Sequence, residues 1–182
     1  MELSSEHVGA YSKAMEVELT ERFSMNYASA VRDPNPVYFD DEREVGIVAP
    51  PMVSTALTWP LSGEFLRNWE PSSFPHPFPH EVMQQQVLYT ETLLWHQVMR
   101  PALKLRIQGR LVAILPHRAG THMVVRYDAS SPSHQPVFTE YVGALLRRVR
   151  CIGEGKGVEN LPRVPDCPTE SPAVWEKLIS ID

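Results

Sequence analysis

One apolar helix followed by a long stretch of strand-like sequence is the feature that most limits how this chain can fold. Residues 51–69 read as a largely apolar, buried helix. It is entered through Pro50-Pro51, with Pro51 near the first helical position, and Pro60 is expected to kink or restart it. From Val82 onward the period changes. Residues 82–95, 102–115, 121–127 and 137–149 are rich in Val, Leu, Ile, Thr and Tyr and often alternate. Leu103-Lys104-Leu105-Arg106-Ile107 is the cleanest case, with one wet face and one dry face, as in an antiparallel sheet. A helix that is apolar all round has to be enclosed, and a long sheet with one dry face can do this by curving around it. The expected class is α+β: a curved antiparallel sheet wrapped around a central apolar helix.

The rest of the chain fits around that centre. Residues 14–19 alternate and read as a short first strand. Thr20 offers an N-cap oxygen, and Phe23, Tyr27, Ala30 and Val31 follow at helical spacing, predicting an amphipathic helix over 21–31. Asp33-Pro34-Asn35-Pro36 stops it. The 17 prolines cluster in loops, notably 71–80, where Phe74 and Phe78 are expected to pack onto the domain rather than leave a PxxP ligand free. Turns are expected at 116–120 and 128–133. One domain over residues 1–150 is expected, then a tail over 151–182 with a short docking helix capped by Ser171-Pro172 and anchored by Trp175. No apolar run approaches a membrane span, and the polar, acidic N-terminus does not read as a signal peptide. A net charge of −5 argues against nucleic acid. Arg147, Arg148 and Arg150 read as the solvated face of a strand, or as a contact for a phosphorylated ligand such as coenzyme A. Cys151 and Cys167 form no disulfide framework and no zinc spacing, so the expectation is a cytoplasmic protein with neither cofactor nor metal.

The stretch 27–40, YASAVRDPNPVYFD, resembles the signature of the MaoC-like (R)-specific enoyl-thioester hydratases and dehydratases. Residues 45–51, VGIVAPP, resemble the segment entering that family's central helix, and 138–149 its closing strand; the likeness spans roughly residues 8–150. The resemblance implies a hot-dog fold and an acyl-thioester ligand carried by coenzyme A or acyl carrier protein. It also implies a second hot dog as partner, in a homo- or heterodimer. In the catalytic family an Asp is followed after four residues by a His. The two hold a water between them, while a backbone N–H at the start of the central helix stabilises the enolate oxygen.

This chain departs from that pattern twice. Asp33 occupies the carboxylate position, or else is simply a turn residue, but Tyr38 stands where the family has His. A phenol with an ordinary pKa near 10 can donate a proton but is a poor base, and it can equally be an aromatic plug. Where catalytic members often carry His-Gly, this chain has Pro50-Pro51, and Pro51 has no N–H to give; Met52 can substitute only from a shifted helix start. The likeness is closest to the family's N-terminal, degenerate hot dogs, in which NPxY is followed by APP. The leading expectation is therefore an acyl-binding, non-catalytic half of a heteromeric hydratase. Asp33 and Tyr38 form a degenerate catalytic pair, and Asn35, Ala49, Pro51 and Met52 are substrate-binding candidates. An autonomous hydratase using Asp33 and Tyr38 is the first alternative. A hot-dog thioesterase is the second, with Glu64 the only acid between residues 51 and 69. A binding module without thioester ligands is the third. Of the replacement histidines, His76, His80, His96, His117 and His122, the better substitutes are His80 and His96. Ser54 and Ser62 lack a nucleophile elbow.

Overall fold

Local chemistry sets the first helix. In the computed structural model, which describes residues 1–63 and 67–163, strand β2 (Met15–Leu19) leads into α1 (Glu21–Ala30). The Thr20 hydroxyl accepts from the Phe23 amide at 3.2 Å, satisfying one of the donors a helix start leaves open. The buried face of α1 differs from the expected one. Ser24 and Ala28 are buried and Tyr27 packs partly buried against the core, whereas Phe23 and Val31 are exposed.

The central helix α2 (Val53–Gly63) is shorter than the expected 51–69. Pro60 lies inside it, and Pro60 lacks the N–H that would bond one turn back. Trp69 is not helical: it pairs as an isolated bridge with Ser12 and is buried to 1% exposure. Nor is α2 enclosed all round. Val53, Leu57 and Leu61 enter the core, but Trp59 is 70% exposed, since the sheet covers one side only.

Four long strands follow: β3 (Gln86–Trp95), β4 (Leu103–His117), β5 (Gly120–Ser130) and β6 (Pro136–Arg147). They form an antiparallel sheet in the order β2-β4-β5-β6-β3, so β3 is an edge strand. The alternation of Leu103 to Ile107 is realised, with Leu105 and Ile107 buried and Lys104 and Arg106 exposed. The β4–β5 turn is tighter than expected, because His117 pairs with Gly120 and only two residues remain between them. Gly120 has φ 151°, and a Cβ there would lie 2.0 Å from the Leu146 carbonyl oxygen, so only glycine fits. The next loop is 131–135, since β5 continues through Ser130. The proline-rich loop packs as expected: Phe78 is 5% exposed, and the Phe74 and Phe78 rings meet at a tilt with centroids 5.5 Å apart.

Residue 150 is not a structural boundary. β7 (Arg150–Ile152) pairs in parallel with β1 (Glu2–Ser4), and β8 (Lys156–Gly157) pairs with β4. Arg147, Arg148 and Arg150 are exposed, and Arg150 pairs with Glu2. The helix expected around Trp175, like Glu64 and Cys167, lies outside the described residues. Among the described residues no helix is long and apolar enough to cross a membrane.

Candidate functional site

Two nested turns follow α1. The Asp33 carboxylate accepts from the Asn35 amide at 3.2 Å, and the Asn35 side-chain oxygen accepts from the Val37 amide at 3.1 Å. Such self-capping is what short Asx side chains do ahead of proline. A single 3₁₀ turn, Pro36–Tyr38, then carries Tyr38 into a cleft of ≈ 430 Å³. The cleft is also lined by Ala49, Pro51, Trp95, His96 and Met99. Asp33, Asn35 and Met52 are not among its lining residues.

At the start of α2 the amides of Val48 and Ala49 are engaged and, among the described residues, that of Met52 is not. Val48 donates to the Val37 carbonyl and Ala49 to the Met99 carbonyl, both at 2.9 Å, so neither amide is free. Pro51 has no N–H, and its carbonyl accepts from the Ser54 hydroxyl at 3.0 Å and from the Trp95 indole at 3.0 Å. The Met52 amide has no acceptor among the described residues, but its residue is exposed outside the cleft.

The cleft also holds a histidine. His96 Nε2 lies 3.0 Å from the Thr139 hydroxyl, which is 3.1 Å from Asp128 Oδ1. An ionised carboxylate only accepts, so Thr139 donates its one proton to Asp128 and must accept from His96. That assigns the proton to Nε2 and leaves Nδ1 as the lone-pair nitrogen of neutral His96. Asp128 is held in turn by Arg126, which also pairs with Glu159.

The other histidines are elsewhere. His122 packs edge-on to Tyr89, and burial followed by the nearby His117 pushes its pKa down. His76 lies 4.2 Å from His7, ring to ring, and His80 opens the 3₁₀ segment His80–Gln85. Ser62 donates to the Tyr127 hydroxyl at 2.8 Å.

One residue escaped the sequence reading: Glu140 on β6, only 2% exposed. Its signal was available. It shares a strand face with Phe138, Val142 and Ala144, where a charge is out of place. Burial first, and Glu91 besides, push its pKa up to about 7 against the opposing pull of the Thr58 hydroxyl.

Solved structures with the same arrangement decide the fold. The chain superposes on the C-terminally truncated HadBC (3R-hydroxyacyl-ACP dehydratase) complex of Mycobacterium tuberculosis with a TM-score of 0.62 at 15% identity, covering 77% of this chain and 97% of that one. The fold is therefore the hot dog, the fold that solved MaoC-like dehydratases also have. The MaoC-like dehydratase of Phytophthora capsici gives a TM-score of 0.73 at 16% identity, over 92% of this chain but 57% of its own length. The (R)-hydratase PhaJ1 of Pseudomonas aeruginosa gives 0.56 at 15% identity, covering 87% of this chain and 91% of that one. No protein-family model and no curated protein matches the sequence. In this hot dog, Tyr38 and Pro51 line one cleft, and Asp33 is not among its lining residues.

Proposed function

We propose that this chain is the acyl-binding, non-catalytic hot dog of a two-hot-dog hydratase. The ligand class is a trans-2-enoyl or (R)-3-hydroxyacyl thioester of coenzyme A or acyl carrier protein. A second hot dog carries the working Asp/His pair. The observation that carries this reading is the start of α2: Pro51 has no amide hydrogen, and its carbonyl is capped by Trp95. An oxyanion donor contributes on the order of 10²–10³ in rate, so a site without one is a poor autonomous hydratase. The HadBC neighbour, a complex of a 3R-hydroxyacyl-ACP dehydratase, supports a two-component assembly. So does the edge strand β3, where Leu88, Tyr89 and Leu94 are exposed and one edge is unpaired.

The test uses the purified chain with crotonyl- and longer enoyl-coenzyme A, followed by loss of the conjugated absorbance. No turnover is expected from the chain alone. Turnover that disappears in Asp33→Asn would sink the reading in favour of an autonomous enzyme built on that carboxylate.

A second reading has one observation in its favour. The Asp128–Thr139–His96 chain orients a histidine that lines the Tyr38 cleft, which suits an autonomous enzyme with His96 as base and Tyr38 as acid. It requires turnover by the chain alone that His96→Asn removes and Asp33→Asn spares.

A further inference from the structure

The thioester reading leaves the arginine cluster at the end of β6 unused, and the fold gives two of its members a pocket. Arg147 and Arg148 line a cavity of ≈ 330 Å³ with Gln84 and Gln85 of the 3₁₀ segment and Gln86 and Val87 at the start of β3. No Asp or Glu is among the lining residues. Among the described residues, the side chains of the two arginines and three glutamines make no hydrogen bond and no ion pair. A guanidinium can only donate, and each glutamine can turn its amide hydrogens inward, so the pocket offers donors with nothing yet to receive them. Arg150, by contrast, is paired with Glu2 and lies outside the lining.

Consecutive strand residues point to opposite faces, so two neighbouring arginines ordinarily diverge. These two line one pocket. Arg148, just past the end of β6, takes φ 59°, a left-handed conformation that favours Gly or Asn and breaks the alternation. Its amide donates to the Ala119 carbonyl at 2.9 Å across the β4–β5 turn, and a Cβ at Gly120 would lie 3.0 Å from that amide nitrogen. The same contact brings Arg118, next to Ala119 in the turn, to this end of the sheet.

We propose that this pocket binds a phosphate group, with Arg147 and Arg148 as its cations and the glutamine amides as further donors. Two guanidinium groups match a phosphate dianion better than a carboxylate, which brings one charge and fewer acceptor oxygens. The site is not an extension of the Tyr38 cleft. Gln86 opens β3 and Trp95 closes it, so at ~3.3 Å per residue the two openings lie about 30 Å apart. Its cations also stand on β6 and the turn after it, one strand in from the exposed β3 edge. The proposal therefore does not rest on the thioester reading. The phosphate belongs either to a nucleotide or to free phosphate, and the two sources separate by affinity.

Isothermal titration of the full chain with inorganic phosphate, adenosine monophosphate and acetate tests this. The expected result is one saturable phosphate site per chain, weakened by added salt, with acetate about tenfold weaker or worse. Arg147→Gln and Arg148→Gln should each weaken phosphate by about tenfold or more, because each removes a charged donor. Arg150→Gln, outside the pocket, should bind as the wild type does. Adenosine monophosphate binding about tenfold more tightly than phosphate assigns the site to a nucleotide, and no such gain assigns it to the phosphate group alone. Phosphate that fails to saturate, acetate that binds equally well, or undiminished affinity in Arg147→Gln and Arg148→Gln would each overturn the proposal. The wild-type ligand series decides even if a variant does not fold. Hydration of enoyl thioesters is not part of the readout, so the two readings fail separately.

Discussion

Glu140→Gln makes a stability prediction whose sign follows from the burial of this carboxyl. In the folded chain burial lifts this carboxyl from 4.5 to about 7. Between those values the unfolded chain releases its proton while the folded one keeps it. Stability is therefore fully present below pH 4.5 and is lost as pH rises through 7. At ~1.4 kcal/mol per tenfold change, the whole span is worth about 3 kcal/mol. Glutamine resembles the protonated acid in shape and cannot ionise, so the variant escapes that loss. Urea unfolding should find the two proteins similar at pH 4.5 and the variant more stable by up to about 3 kcal/mol at pH 8. For a chain of this size that corresponds to roughly 6–12 °C in Tm. The lowered pKa values of His7 and His122 also make stability depend on pH, but they are common to both proteins and cancel in the difference. A difference that stays constant from pH 4.5 to 8 would refute the reasoning, because it would mean that Glu140 is already ionised and compensated in the folded chain.

Four further outcomes are expected. Gly143→Ala places a Cβ 2.0 Å from Thr90 Oγ1 and 2.6 Å from His122 Nε2, so it should destabilise by about 2 kcal/mol or more, with part recovered in the Thr90→Ala double variant, read by urea unfolding. Thr121→Val removes a buried donor 2.8 Å from the Val149 carbonyl and should cost about 1–3 kcal/mol in the same assay. His7 is fully buried, and burial with His76 behind it holds its pKa down to about 4 from 6.5, against the pull of Glu6; the unfolded chain therefore takes up a proton first, stability falls as pH drops from 6.5 toward 4, and His7→Leu should flatten that acid limb. Leu94→Lys on the exposed β3 edge should shift the chain toward monomer in sedimentation, if β3 carries the contact with a second hot dog.

What the sequence determined by itself was local. The Thr20 cap, the stop at Asp33-Pro34, the alternation from Leu103 to Ile107 and the packing of Phe74 and Phe78 follow from chemistry within a few residues. The cleft was half legible for the same reason: Tyr38 and Pro51 were found from a short motif, and the Asx turns of Asp33 and Asn35 from their neighbouring prolines. Only the tertiary structure decided what depends on distant partners. It joined β1 to β7 across almost the whole domain, put Trp69 into the core outside any helix, and brought His96, Thr139 and Asp128 into one chain of hydrogen bonds. It also buried Glu140 of β6 beside Glu91 of β3. Hydrogen bonds within a turn are set by adjacent dihedral angles, whereas the partner of a buried side chain is set by strand order and register, which no local stretch of sequence encodes.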